Sequence, residues 1–248
     1  MVSPDTRFIK DFNISSFDVD AKKQASLQSI CRYLQEVAAL HASEMKLGFH
    51  DMMEENRAWV LAQMAIQVER YPKFLEPIKV TTWSNGPDGR FAMRDFVIID
   101  ADGRDIARAS STWFVIDIVE KNICRLEEYF KDYKYKNIQY ALDRKPQRIK
   151  PITEYDSEVE ITARYSDLDI NGHMNNVRYV DLILDIFPGD FRQTHDISEI
   201  EMNFLKEAKE GNKLSNMLKV AEAEKEYLHC LFNKDVEKAS FTARTRWR

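Results

Sequence analysis

Between Tyr165 and Val177 the chain reads Tyr-Ser-Asp-Leu-Asp-Ile-Asn-Gly-His-Met-Asn-Asn-Val. Asp167, Asp169, Asn171, His173, Asn175 and Asn176 thus pack carboxylates, amides and an imidazole into one polar loop. An apolar segment with helical spacing follows: Val177, Val180, Ile183, Leu184 and Phe187. The first N–H groups of a helix have no internal partner. With the helix dipole they favour a developing negative oxygen. A carbonyl held at Asn175 and Asn176 can therefore be polarised without a metal, while Asp169, Asn171 and His173 position or deprotonate a water.

Other chemistry competes for these residues. Asn171-Gly172 can be a simple turn and Asn175 or Asn176 a simple helix cap. Asp167, Asp169, Asn171 and Gly172 also match the first half of a calcium loop. The twelfth position of that loop is Arg178, where a bidentate glutamate is required, so a cation defeats the site. A transition-metal site through His173 and Asp169 lacks a second histidine close in sequence. No metal and no organic cofactor is expected.

The loop needs a frame, and hydrophobic periodicity supplies one. Phe8 to Ile14 can be a short strand. Leu27, Ile30, Leu34, Ala38, His41 and Met45 recur at steps of three and four, which predicts a long helix with Gly48 as its stop. Ala58 to Val68 then alternates with period two, and Tyr71-Pro72 ends it. Strands are expected over Ile78–Ser84, Phe91–Asp100 and Asp105–Ile118, broken at Asn85-Gly86-Pro87-Asp88-Gly89 and at Asp102-Gly103. The order then repeats. Glu158–Ala163 reads as a strand, the polar loop leads into a helix ended by Pro188-Gly189, and strands are expected over Ile200–Glu207, Leu214–Ala223, Glu226–Phe232 and Ala239–Trp247. The expected fold is α+β, an antiparallel sheet wrapped around a central helix, twice. Between the halves, Lys131 to Lys150 carries Lys131, Lys134, Lys136, Arg144, Lys145, Arg148 and Lys150 against Asp132 and Asp143. The expected organisation is a first half over 1–130, a basic linker over 131–153 and a second half over 154–248.

Composition narrows the class. Of 248 residues, 44% are hydrophobic and 31% charged, which is ordinary for a globular domain. The net charge of −5 argues against a general nucleic-acid binder. No apolar run reaches the ~18 residues of a membrane helix, and the N-terminus has no apolar signal core. Cys31, Cys124 and Cys230 are odd in number and scattered. They fit a reducing compartment better than a disulfide frame, and the expected location is cytoplasmic.

The loop resembles the active-site loop of the acyl-acyl-carrier-protein thioesterase family, with its D-x-N-x-H-x-N-N pattern carried by Asp169, Asn171, His173, Asn175 and Asn176. The first half is similar to that family at Trp59, Arg70-Tyr71-Pro72, Thr82-Trp83, Arg94-Asp95 and Arg108-Ala109-Ser110-Ser111 before Trp113. The resemblance runs over roughly residues 5 to 248. It implies a tandem hotdog fold and hydrolysis of the thioester that ends fatty-acid synthesis, releasing a free fatty acid. The partner it implies is an acyl carrier protein with a pantetheine-linked acyl chain. Homodimer formation stays open. The family places a glutamate immediately before a cysteine in a late strand. Here the glutamate is Glu207 and the cysteine position is Ala208, which disfavours a cysteine nucleophile and fits attack by water.

Glu207 and Asp169 are then the candidates for holding and activating that water, through His173 or Asn171, and the sequence leaves both carboxylates open as the base. Asp18-Val19-Asp20 faintly echoes Asp167-Leu168-Asp169, so one half is expected to keep the catalytic loop. The other is expected to shape the acyl pocket, with Met45, Met52, Met53, Trp59 and Met64 as lining candidates. Arg144, Lys145 and Arg148 are the candidates for docking an acidic carrier protein. An acyl-coenzyme A thioesterase is the near alternative, and a non-catalytic acyl-carrier or fatty-acid binding module the rival from another class. His41 reads as a core histidine on an apolar helix face.

Overall fold

A computed structural model of the chain describes residues 7–131, 139–221, 223 and 225–248. It divides into two compact units, Met1–Pro146 and Gln147–Arg248. Lys134, Lys136 and Asp132 of the basic segment lie outside the described residues.

The first unit runs β1 (Phe8–Asn13), α1 (Leu27–Glu44), α2 (Phe49–Glu54), β2 (Arg57–Val68), β3 (Pro77–Asp88), β4 (Phe91–Ile99), β5 (Asp105–Asp117) and α3 (Glu127–Phe130). Its strands pair antiparallel in the order β1-β3-β4-β5-β2. Helix α1 starts at the Ser26 cap and packs on β1 and β3. Its face of Leu27, Ile30, Leu34, Val37 and Ala38 is buried, at roughly 1.5–3 kcal/mol for each larger side chain removed from water.

The second unit runs β6 (Ser157–Thr162), α4 (Asn176–Leu184), α5 (Gly189–Thr194), β7 (Ile197–Phe204), β8 (Lys213–Val220), β9 (Glu226–Asn233) and β10 (Lys238–Trp247). Its strand order is β6-β8-β9-β10-β7, again antiparallel, with α4 packed on β8 and β9. Strand for strand this is the layout of the first unit. Each unit is a hotdog, an antiparallel sheet carrying one main helix.

Four details depart from the sequence reading. Gly48 does not end α1 in a left-handed turn; Lys46 takes the positive φ of 60°. Glycine is needed at 48 because a Cβ there would meet Ser43 Oγ at 2.4 Å and Ser43 Cα at 2.8 Å. The segment Asn85 to Asp88 does not break the sheet but continues β3 through a bulge between Ser84 and Gly86, and the turn falls at Gly89, φ +61°. Pro188 does not close α4, which ends at Leu184; it caps the short α5. Strand β7 stops at Phe204, leaving Glu207 in the loop beyond it.

From Gln139 onward the basic segment is held by buried polar side chains, two of them acids. In the first unit Asp95 accepts the Ala141 N–H at 2.9 Å, and Gln139 O accepts from Trp83 Nε1 at 2.7 Å. In the second, Glu201 accepts the Gln147 N–H at 2.7 Å and Asn203 Oδ1 the Ile149 N–H at 2.6 Å. These side chains satisfy backbone donors that no ladder reaches.

Candidate active site

The polar loop is fixed by its own carboxylates. Asp167 is buried; Oδ2 accepts the Arg164 N–H at 2.8 Å and Oδ1 the Arg178 Nε–H at 3.1 Å. A guanidinium thus sits where a calcium reading would need an acid, and no metal-holding group of three acids, histidines or cysteines occurs among the described residues. Asp169 Oδ1 accepts the Asn171 N–H at 2.8 Å, with His173 N at 3.5 Å, and the Asp169 N–H returns to His173 O at 2.8 Å. Gly172, φ +72°, closes the turn with its N–H on Asp169 O at 3.0 Å. That φ suits glycine because it has no Cβ.

Asn175 is the helix cap, its Oδ1 accepting the Val177 N–H at 2.9 Å. The Asn175 N–H itself donates to Asp167 O at 2.9 Å. Two amides expected to meet an oxyanion, at Asn175 and in the first turn beyond Asn176, are therefore engaged in holding the loop.

His173 and Glu207 meet. Nε2 of the imidazole lies 3.1 Å from Glu207 Oε2, with side chains 29% and 49% exposed. Glu207 is placed by its neighbour. Ala208 is fully buried; its carbonyl accepts the Met174 N–H at 2.8 Å and its N–H donates to Tyr179 Oη at 3.1 Å. Tyr179 stands on α4, its ring stacked on Phe241 at 5.4 Å and edge-on to Phe204 at 6.1 Å. Burial pushes its phenol up to about 12, and the charges of Glu207 and Asp169 push the same way, so it is neutral. Sequence reasoning passed over Tyr179; the available signal was a phenol on a buried helix face, whose hydroxyl must find a partner.

The remaining candidates disperse. Met45 and Met52 belong to one buried cluster with Ala92, Val115, Leu126 and Phe130, against which Trp59 packs. Met64 is fully buried on β2. Met53 is 40% exposed, which sets it apart from the buried set. Lys145 Nζ pairs with Asp88 Oδ2 at 2.5 Å, while Arg144 is half-buried and Arg148 exposed. Cys230 is buried on β9 and burial pushes its thiol up to about 11, which leaves it protonated and inert at neutral pH. His41 is buried on α1 as expected.

Comparison with known proteins identifies the family. Residues 5–133 match the model of the acyl-ACP thioesterase N-terminal domain and residues 150–248 that of its C-terminal domain. The chain belongs to the acyl-ACP thioesterase family. A palmitoyl-acyl carrier protein thioesterase, chloroplastic, from Gossypium hirsutum is 26% identical over 97% of this chain and 63% of its own. A dodecanoyl-[acyl-carrier-protein] hydrolase, chloroplastic, from Cinnamomum camphora is 27% identical over 97% of this chain and 67% of its own. The chain spans about half to two thirds of the length of such curated relatives. Among solved structures, an acyl-ACP thioesterase from Bacteroides thetaiotaomicron is 28% identical with a TM-score of 0.84, covering 98% of both chains. The 12:0-ACP thioesterase from Umbellularia californica shares the fold at a TM-score of 0.84 and 22% identity.

Proposed function

We propose that this acyl-ACP thioesterase family member hydrolyses acyl-acyl-carrier-protein thioesters to a free fatty acid and the carrier protein. The 3.1 Å contact between His173 and Glu207 carries the reading. It gives a half-exposed carboxylate, braced by an imidazole, beside a loop whose backbone is already locked. Glu207 takes the proton of a water as that water attacks the thioester carbonyl, and His173 orients the carboxylate. The tetrahedral intermediate then collapses: its C–S bond breaks, the acid departs, and the pantetheine thiolate receives the proton held by Glu207. Asn171, exposed at the turn, is the amide available to the carbonyl oxygen. Asp169 spends Oδ1 on the loop's own N–H groups and keeps Asn171 and His173 in place.

Met45, Met52 and Trp59 are proposed to shape the acyl site, because they share one apolar cluster, and methionine adapts to flexible chains. Three scattered cysteines with no CxxC spacing, Cys31, Cys124 and Cys230, support work in a reducing compartment such as the cytoplasm. No helix among the described residues is long and apolar enough to cross a membrane.

The test is a side-by-side rate measurement on carrier-protein and coenzyme A thioesters of several chain lengths. Steady thiol release favouring the carrier-bound substrate is expected. Tight binding without turnover would replace the enzyme with a binding module, and preference for coenzyme A thioesters would move the substrate.

A further inference from the structure

The loop that carries the site is built twice. In the first unit, Asp20 Oδ1 accepts the Lys22 N–H at 2.8 Å, with Gln24 N at 3.4 Å, as Asp169 does for Asn171 and His173. The Asp20 N–H returns to Gln24 O at 2.9 Å, and the Lys23 N–H, at φ 60°, to Asp20 O at 3.0 Å, matching Asp169–His173 and Gly172–Asp169. Asp18 Oδ2 accepts the Ser15 N–H at 2.9 Å, and Asp18 O the Ser26 N–H at 2.8 Å, where Asp167 holds Arg164 and Asn175. The Ala25 N–H reaches Pro72 O at 2.7 Å as Met174 reaches Ala208 O. Glu69 and Arg70 both donate to Ile106 O, as Leu205 and Lys206 both donate to Ser240 O.

This bond-for-bond match sets His173 against Gln24, Asn171 against Lys22, Glu207 against Tyr71 and Ala208 against Pro72. Carried one turn further along the helices, it sets Tyr179 against Ile30. The shared parts are the frame. The parts present only in the second unit mark the chemistry, and Tyr179 is among them. In the first unit its place is aliphatic, and the N–H it would accept is missing because proline has none.

We infer that Tyr179 is a positioning residue: its hydroxyl, accepting the Ala208 N–H, anchors the Glu207–Ala208 peptide and so holds the Glu207 carboxylate against His173. The Ala208 carbonyl, which belongs to the next peptide, is tied to Met174, and its counterpart, the Pro72 carbonyl, is tied to Ala25, so that tie belongs to the shared frame. The N–H tie, at 3.1 Å to a phenol packed on Phe204 and Phe241, fixes the Glu207–Ala208 peptide plane, which the carbonyl tie on the other side of the Ala208 Cα leaves free to turn. The Glu207 side chain, which springs from the Cα of that peptide, then keeps its carboxylate 3.1 Å from the imidazole. Small misplacements of a reacting group cost rate more than binding.

The inference rests on the hydrolytic reading, and two variants delete the same bond from opposite sides. Tyr179→Phe removes the acceptor and keeps the ring contacts. Ala208→Pro removes the donor and keeps the carbonyl, as Pro72 does in the first unit. Each should lower kcat about tenfold, the scale of one lost hydrogen bond, with KM within about twofold and thermal unfolding still cooperative. The double variant should be no slower than the slower single. His173 ring-nitrogen NMR signals should move in both singles. Wild-type kcat and unmoved ring signals in Tyr179→Phe, or losses that multiply in the double variant, overturn the anchor. A wild-type protein that hydrolyses no thioester overturns the functional reading instead, and the ring signals still decide the anchor.

Discussion

Asp20 and Asp169 do the same structural work in the two units: each Oδ1 accepts the N–H two residues on, at 2.8 Å, and faces the one four residues on, at 3.4 and 3.5 Å. A carboxylate that performs this task where no histidine follows is a loop fastener first. Asparagine carries the same acceptor oxygen and alanine does not. Asp169→Asn should therefore keep kcat within about tenfold of wild type, while Asp169→Ala should lose about a hundredfold. Equal losses in the two variants would show that the negative charge itself is required.

Glu207→Gln and His173→Ala should each lower kcat by about 10²-fold or more, the scale of a lost general base. Both side chains are partly exposed, so unfolding midpoints should move little. Near-normal turnover in both variants, measured by thiol release, would remove them from the chemistry.

With Ala208 in the cysteine position, attack by water leaves no acyl-enzyme. Replacing Cys31, Cys124 and Cys230 by alanine or serine should retain most of the turnover in protein that still folds. A covalent acyl adduct found on any cysteine by mass spectrometry, and lost together with activity, would falsify direct water attack.

Apolar periodicity made α1 and most strands legible, because a buried face repeats every 3.6 or 2 residues whatever the loops do. The duplication of architecture was legible too. The duplication of the loop was nearly invisible, because its matching bonds are mostly backbone bonds and only Asp18 and Asp20 keep their side chains. Gly48 was misread since a glycine required by close approach to Ser43 looks in sequence like one required by a left-handed φ. The His173–Glu207 contact joins residues far apart in the chain, so spacing could not show it, and Glu207 stood out only through the family resemblance. Tyr179 was hidden because a tyrosine on an apolar helix face reads as core until its hydroxyl's partner is seen.

Carrier docking through the basic segment is a further proposal with its own test. Lys145 is paired with Asp88, an exposed ion pair worth at most about 1 kcal/mol, so it can be recruited cheaply. Charge reversal at Arg144, Lys145 and Arg148 should raise KM for a carrier-bound thioester several-fold, more at low salt, and spare the coenzyme A thioester. Equal effects on the two substrates would rule out docking through these side chains.

Two buried histidines set the acid limb of stability. His41 is pushed down to about 4, by burial first and then by the Arg94 guanidinium that lies 2.9 Å from Nδ1. His229 is pushed down to about 3 by burial alone. In the unfolded chain both take up a proton near pH 6.5. The unfolded state thus binds more protons below that pH, and stability falls as the pH drops from about 6.5 toward the folded values. Between about pH 7.5 and pH 5 the loss should approach 2 kcal/mol for each histidine. Asp18, Glu76 and Asp100, whose carboxyls are held low, add their losses only further down, through the carboxylate range. Asp95, raised by burial, works in the opposite sense and is common to wild type and variants. Urea unfolding at the two pH values should therefore show a clearly smaller difference in His229→Asn and His41→Gln than in wild type, even though both variants start less stable. An undiminished difference in either would mean that the histidine already takes up its proton while folded.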